Sequence, residues 1–223
     1  MHRLSKGFER FQREVYPRYE GKFRGLAKGQ EPHAMVITCA DSRVLPSLFL
    51  QADPGDLFIY RNVGNIVPAY DGSASEVGAA IEYAVDVLRV QDIVICGHSD
   101  CGAMKGVMHP EKIQEYPIVA RWLRRAERAR RISRENAGGF SDEAFLRCVT
   151  EENVLAQLDN LGTHPAAAAA MARGELELYG WFYDIGDGTL ACFDPAMKRF
   201  VEFHGDLPAA TPAPRWGRRH TAA

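Results

Sequence analysis

The sequence has no long apolar run and almost no net charge, and both absences exclude classes of protein. No stretch of about 18 consecutive apolar residues occurs, so no membrane-spanning helix is predicted. Residues 1–10 carry charges throughout and lack the apolar centre of a secretory signal. The 27 lysines and arginines nearly balance the 29 aspartates and glutamates, so we expect no general nucleic-acid-binding surface.

Cysteine is scarce, and its odd count argues against a disulfide framework. The chain has five cysteines, which are widely spread: Cys39, Cys96, Cys101, Cys148 and Cys192. We therefore expect a protein of the reducing cytoplasm in which some cysteines serve a metal. Cys96 lies in an apolar run and is interpreted as a small core residue. Cys148 and Cys192 have no neighbouring His or Cys and are interpreted in the same way.

Short apolar runs separated by turn signals predict an α/β fold with a mostly parallel sheet. Residues 34–38, 56–60 and 92–96 are interpreted as buried strands. A capping-box pattern at Ser73 and Glu76 predicts a helix between the last two, running to about Arg89. This strand–helix–strand order with short connections implies a right-handed crossover and parallel strands.

The remaining segments extend this fold at both ends. Residues 4–26 are predicted to be helical, with a break or kink at Pro17. Further helices are predicted at 116–135, at 142–161 and from Pro165 to Gly174, and strands at 176–184, 189–193 and 200–203. The helix at 116–135 carries seven arginines, which we interpret as a solvated face rather than a partner surface. Residues 1–205 are then one domain, and residues 206–223 a disordered tail.

Three candidate metal ligands stand near the carboxyl ends of two predicted strands. Cys39 follows the first strand, and His98 and Cys101 follow the third. Because ligands bind at the carboxyl edge of open α/β sheets, these two distant motifs are expected to converge. Two thiolates and one imidazole can hold zinc and leave its fourth position free, which is typical of a catalytic site.

Asp41 and Arg43 follow the first cysteine closely. Arg43 can form a bidentate pair with Asp41 and keep that carboxylate ionised and away from the metal. Asp41 could then accept a hydrogen bond from zinc-bound water. Two alternatives stay open at this point: an ordinary turn aspartate with a surface ion pair, or Asp41 as a fourth ligand in a closed, inactive site.

Several segments resemble one known family. Residues 39–44 (Cys-Ala-Asp-Ser-Arg-Val) and 97–104 (Gly-His-Ser-Asp-Cys-Gly-Ala-Met) closely resemble the two zinc motifs of β-class carbonic anhydrases. Residues 55–65, 82–85 and 180–184 are similar to other stretches of that family. The resemblance covers roughly residues 5–204, and the motifs together are highly specific.

The resemblance implies reversible hydration of CO₂ to bicarbonate and a proton through zinc-bound hydroxide. It implies one Zn²⁺ per subunit held by Cys39, His98 and Cys101, with Asp41 and Arg43 as the catalytic dyad. It also implies a parallel sheet of about four strands with an added antiparallel strand, flanked by helices. The helical arm, residues 4–26, would contact a partner subunit in a homodimer, and dimers would assemble into tetramers or larger oligomers.

The resemblance also implies residues of the substrate pocket. They are Gln30 as a hydrogen-bond donor, Phe58, Val63 and Tyr83 as apolar walls, and the backbone around Gly102 at a helix N-terminus. Some members hold a regulatory bicarbonate between a tryptophan, an arginine and a tyrosine. Arg61 and Tyr183 match two of these positions, but Val36 stands in place of the tryptophan. We therefore predict an open site with water, rather than Asp41, on zinc.

Two other functions are alternatives to CO₂ hydration. Hydrolysis of carbonyl sulfide or carbon disulfide would use the same ligands, and assays with each substrate separate the two enzymes. A non-catalytic zinc protein with a closed site is the second alternative. The presence of both Asp41 and Arg43 argues against it, because neither is needed merely to retain zinc. The location is expected to be cytoplasmic, either free or within a carbon-fixing compartment.

Overall fold

Six strands form one sheet, and the structure, a computed structural model, describes residues 1–136 and 138–212 of the chain. The strands are β1 (Ala34–Cys39), β2 (Leu57–Asn62), β3 (Asp92–His98), β4 (Glu177–Tyr183), β5 (Leu190–Asp194) and β6 (Arg199–Glu202). Their order across the sheet is β2-β1-β3-β4-β5-β6. The first four are parallel, and β5 and β6 add antiparallel to β4. The predicted α/β fold is confirmed, with two added antiparallel strands where one was expected.

Strands β1 and β3 lie at the centre of the parallel part because both are apolar. All six residues of β1 are buried, and six of the seven residues of β3 are buried. Strands buried on both faces read as continuous hydrophobic runs in parallel sheets. Each of these two strands ends in one of the candidate metal ligands, so these two ligands are buried together with the strands.

The N-terminal arm is one helical run from His2 to Leu26. It consists of α1 (His2–Arg10), a π-helical turn (Phe11–Val15) and α2 (Tyr16–Leu26). Pro17 falls in the first turn of α2, where a missing N–H is tolerated, and the π turn before it absorbs the irregularity. The proline therefore interrupts the α-helical pattern without ending the helix. Every residue of the arm stays at least partly exposed.

Within the described residues, seven further α-helices follow the arm. They are α3 (Pro46–Phe49), α4 (Glu76–Glu82), α5 (Gly102–Met108), α6 (Pro117–Leu123), α7 (Glu127–Asn136), α8 (Asp142–Leu161) and α9 (Pro165–Arg173). The bounds of α8 agree with the prediction at both ends. The arginine-rich helix predicted at 116–135 is present as α6 and α7, joined by a 3₁₀ turn (Arg124–Ala126).

Helix α4 begins at a different cap from the one predicted. The side chain of Ser75 accepts a hydrogen bond from the backbone N–H of Gly78, so Ser75 is the N-cap. Ser73 instead donates its hydroxyl to Asp71. The helix continues through a π-helical turn (Tyr83–Val87) and ends before Arg89. The capping-box assignment was therefore wrong by two residues, because Asp71 competes for the Ser73 hydroxyl.

Helix α8 packs closely against β3 and β4 at two glycines. A Cβ at Gly97 would lie 2.9 Å from the side chains of Thr150 and Val154. A Cβ at Gly180 would lie 3.0 Å from Leu158 and Val154. Real Cβ atoms almost never approach as closely as at Gly97, and a side chain at Gly180 would force Leu158 or Val154 to shift. Gly97 directly precedes His98, so the close packing of α8 against β3 helps to position the candidate ligand.

The chain after β6 returns to the sheet. The backbone N–H of Thr211 donates to the carbonyl of Leu178 in β4, and residues 206–212 form no helix or strand. Residues 213–223 of the predicted tail lie outside the described residues. No helix in the part of the chain that the structure describes has both the length and the apolarity to cross a bilayer.

Candidate metal centre

The ends of β1 and β3 and the start of α5 bring three predicted ligands together. Cys39 is the last residue of β1, His98 the last of β3, and Cys101 the N-cap of α5. Their ligating atoms all lie within 4.8 Å of one another. All three residues are buried, at 5% exposure or less. This group could hold a metal ion, and the sheet edge predicted from the sequence is where it lies.

The imidazole of His98 is oriented as a ligand. Its Nδ1 lies 2.8 Å from the carbonyl oxygen of Ser99, which makes Nδ1 the donor and leaves the lone pair on Nε2. Among the described residues, nothing bonds to Nε2, although this atom is buried. A buried polar nitrogen without a partner costs free energy of the order of 1–3 kcal/mol. A metal ion at this point would satisfy it.

The two thiols have the spacing that a tetrahedral zinc site requires. Cys39 Sγ and Cys101 Sγ are 4.0 Å apart. Two thiolates on one tetrahedral zinc are about 3.8 Å apart, given zinc–sulfur bonds of about 2.3 Å. Hydrogen bonds from Cys101 and from the Gly64 N–H lower the pKa of Cys39. The nearby Cys39 and burial raise the pKa of Cys101, so the second thiolate needs a cation to form.

Asp41 and Arg43 form the predicted bidentate pair. Arg43 Nε donates to Asp41 Oδ1 at 2.9 Å, and Arg43 Nη2 donates to Oδ2 at 2.8 Å. These bonds hold the pKa of Asp41 well below its usual value. The group of ligating atoms that the described residues form comprises Cys39, His98 and Cys101, without Asp41. The carboxylate of Asp41 is therefore paired with the guanidinium of Arg43 and is not part of the metal group.

Arg61 supports the turn that carries this pair. Its Nε donates to the carbonyl of Cys39 at 3.1 Å, and its Nη2 to the carbonyl of Asp41 at 2.6 Å. Tyr183 stacks on Phe49 with ring centroids 4.4 Å apart. Val36 is buried in the same hydrophobic cluster as Tyr183. Arg61 and Tyr183 thus have structural partners of their own, and the absence of a bicarbonate pocket between them stays a prediction.

The predicted pocket residues divide into two groups. Val63 and Gly102 lie at the metal end, because Val63 follows Asn62, the register partner of Cys39, and Gly102 follows Cys101. Phe58 instead pairs with Met35, four residues before Cys39. At the rise of a strand, this separation is about 13 Å.

The second group shares the amino end of the sheet. The ring centroid of Phe58 lies 6.1 Å from that of Tyr83, and Gln30 precedes β1 by four residues. Within one chain, the structure therefore brings Val63 and Gly102 to the metal group, and it leaves Gln30, Phe58 and Tyr83 at the opposite end.

Asp100 contacts Arg43 of the dyad, Lys105 contacts Asp100, and neither was predicted as a site residue. Arg43 Nη1 donates to Asp100 Oδ2 at 2.9 Å, and Lys105 Nζ donates to Asp100 Oδ1. The only signal in the sequence was the position of Asp100 between two candidate ligands. A cavity of about 1080 Å³ opens beside this network, and its lining includes Arg43, Asp100 and Lys105. It links the dyad with solvent.

Comparisons with known sequences identify the family. A family model for carbonic anhydrase matches residues 34–190. The carbonic anhydrase of Pseudomonas aeruginosa is 47% identical over 201 residues, which cover 90% of this chain and 91% of the relative. The matched region includes the metal group and the dyad.

Solved structures agree with this. The β-carbonic anhydrase CcaA matches with a TM-score of 0.92 at 38% identity, covering 99% of each chain. A tetrameric β-carbonic anhydrase of Sordaria macrospora matches with a TM-score of 0.77 at 30% identity, covering 91% of this chain and 95% of the other. The chain therefore belongs to the β-carbonic anhydrase family. It is an enzyme, a carbonic anhydrase, and hydrates CO₂.

Proposed function

We propose that this carbonic anhydrase is a zinc enzyme whose Cys39, His98 and Cys101 hold one Zn²⁺ per subunit. The observation that carries the proposal is the buried, unbonded Nε2 of His98 facing two thiols 4.0 Å apart. Thiolate and imidazole are ligands that suit zinc, and two thiolates offset its charge. Three protein ligands leave one coordination position, as catalytic zinc sites do.

Zinc at this position supplies a Lewis acid that makes water a nucleophile near neutral pH. Asp41 accepts a hydrogen bond from the attacking water and turns the water's lone pair towards the carbon of CO₂. The low pKa of Asp41 keeps it an acceptor throughout the working range. Arg43 holds the carboxylate by two hydrogen bonds and so keeps it from becoming a ligand itself. An open site follows from this pairing.

The substrate pocket is completed by a second copy of the chain. Val63 and the backbone at Gly102 lie beside the metal group, whereas Phe58 lies about 13 Å away along the sheet. Tyr83 packs against Phe58, and Gln30 precedes β1 by four residues. CO₂ is small, so a pocket for it cannot span that distance. A partner that presents its own Gln30, Phe58 and Tyr83 to this metal group would close the pocket. The tetrameric assembly of the Sordaria macrospora relative supports an oligomer here.

The N-terminal arm is the element that we assign to the dimer contact. Its aromatic side chains form a connected cluster, with Tyr16 and Phe23 stacked at 5.6 Å. Leu4 is 73% exposed and Phe8 is 59% exposed, which are unusual values for apolar residues at helical spacing. A helix with no buried face gains little from its own chain, and covering this face with a partner would stabilise it.

All five cysteines are free thiols, which supports a reducing, cytoplasmic location. The experiment that tests the function is stopped-flow CO₂ hydration before and after zinc removal, with carbonyl sulfide and carbon disulfide as competing substrates. We expect CO₂ hydration to depend on zinc and to exceed hydrolysis of either sulfur compound. Asp41→Ala should abolish hydration while zinc stays bound. Near-normal hydration in that variant would contradict the role of Asp41.

A further inference from the structure

We propose that Asp100 is a positioning residue that holds Arg43 against Asp41, and that Lys105 in turn holds Asp100. The proposal rests on the proposed function, in which Asp41 orients the attacking water. Asp100 itself touches neither that water nor the metal group in this assignment. It acts through the guanidinium of Arg43.

The guanidinium of Arg43 is bound along two edges. Its Nε and Nη2 edge forms the fork on Asp41. Its other edge faces Asp100, with Nη1 donating to the carboxylate at 2.9 Å and Nη2 donating to the backbone carbonyl at 3.2 Å. Four hydrogen bonds on a planar group define both its position and its rotation. The backbone N–H of Arg43 also donates to Asp41 Oδ1 at 3.0 Å, so the fork fixes the guanidinium relative to its own turn. The contacts with Asp100 tie it to the turn between His98 and Cys101.

Lys105 completes the network from helix α5. Its ammonium donates to Oδ1 of Asp100, while Oδ2 accepts from Arg43. The two cations hold the pKa of Asp100 below its usual value, with Lys105 as the larger cause. Lys105 lies one helical turn after the candidate ligand Cys101. The position of Arg43 is thereby tied to the helix that begins at the metal group.

The backbone conformation at Asp100 does not by itself require a carboxylate, so the carboxylate has a role apart from the turn. Asp100 has a φ of +56°, in the left-handed region that glycine and asparagine adopt most readily. The turn between His98 and Cys101 therefore explains a small or Asx residue at this position. It does not explain a carboxylate, which asparagine or glycine would replace without loss to the turn. The two cations on that carboxylate do explain it.

The network contributes orientation rather than folding stability. The side chains of Arg43, Asp100 and Lys105 are 43%, 54% and 51% exposed. Ion pairs between side chains that are this exposed to solvent contribute little to the stability of a fold. Removing Asp100 should therefore leave the protein folded and loaded with zinc, and should change the rate of the reaction.

The test compares Asp100→Gly with Asp100→Asn in the full-length zinc enzyme. Both accept the left-handed backbone, but only asparagine keeps an oxygen for Arg43 Nη1. We expect Asp100→Gly to lower kcat about tenfold with KM nearly unchanged, and Asp100→Asn to restore most of that loss. Lys198→Gly is the matched control, because Lys198 also has positive φ (+54°) but lies in the turn between β5 and β6.

A second variant and a second measurement test the same proposal independently. Lys105→Met should lower kcat less than Asp100→Gly, and the double variant should be no worse than Asp100→Gly alone, because Lys105 acts through Asp100. Hydrogen exchange of the Arg43 Nε–H, followed by NMR, should be faster in Asp100→Gly and near normal in Asp100→Asn. This second readout tests the positioning even if the unaltered protein fails to hydrate CO₂, which would refute the proposed function alone.

Three outcomes would overturn the proposal. The first is full activity in Asp100→Gly with unchanged Nε–H exchange. The second is an Asp100→Asn variant as impaired as Asp100→Gly, since the oxygen would then not be what matters. The third is loss of bound zinc or of thermal stability in parallel with activity, which would make Asp100 a structural residue of the metal loop.

Discussion

The two ends of the parallel sheet differ in how complete they are within one chain. At the carboxyl end, Cys39, His98 and Cys101 are buried together, and the dyad beside them is fully hydrogen-bonded. At the amino end, Phe58 and Tyr83 contact each other, and the nearby arm exposes its apolar face. The difference teaches that one chain folds the metal half of the site by itself. In our proposal, a partner subunit completes the pocket half.

The largest expected effect is at the carboxyl end. Cys101→Ser removes one soft ligand, and we expect the protein to lose its zinc and at least about 1000-fold of its CO₂ hydration rate. Metal content by atomic emission and stopped-flow rates measure the two losses. Cys148→Ser is the control, because Cys148 is a half-buried thiol of α8 outside the metal group. A Cys101→Ser protein that keeps zinc and rate would break the assignment of the ligands.

Removing the arm tests the amino end. A chain that lacks residues 2–26 loses no buried residue, because every residue of the arm is partly exposed. We expect its sheet to keep zinc while the dimer dissociation constant rises at least about 100-fold, as the loss of about 3 kcal/mol of interface would produce. Light scattering with chromatography at several concentrations measures the assembly. An unchanged oligomer would remove the arm from the interface.

Mixing two impaired variants tests whether the two halves of one site come from different chains. Asp41→Asn impairs the metal half, and a Gln30→Ala, Tyr83→Ala double variant impairs the pocket half. In a randomly mixed two-fold dimer, about a quarter of the sites combine two unaltered halves, so about a quarter of the activity should return. Each variant mixed with itself is the control. No recovery after verified subunit exchange would mean that both halves belong to the same chain.

Each feature of the fold and the site could be predicted from the sequence only where local interactions determine it. Strand β1 and helix α8 follow from their apolar patterns, which are local signals. The meeting of Cys39 with His98 follows from the parallel connection between their strands. The separation of Phe58 from the metal group could not be predicted, because the register of β2 against β1 is a tertiary property. The left-handed backbone at Asp100 could not be predicted either, since Asp also favours turns with negative φ.

The smallest expected effect separates two serines near the start of the helix that leads to Tyr83. Ser75→Ala removes the N-cap of α4, the helix that leads into Tyr83, and should lower the free energy of unfolding by about 1 kcal/mol. Ser73→Ala is the matched control, because the exposed hydroxyl of Ser73 bonds only locally to Asp71. We expect this variant to lower the free energy of unfolding by only a few tenths of the Ser75→Ala effect.

Urea unfolding at one fixed protein concentration measures both changes, because subunit dissociation then contributes equally to each variant. Zinc content should be the same in both variants, because the hydrogen bonds of these two serines do not involve the metal group. If Ser73→Ala were the more costly change, the cap seen at Ser75 would be wrong and the capping box predicted from the sequence right. If Ser75→Ala also released zinc, the two ends of the sheet would be coupled and the contrast between them would fail.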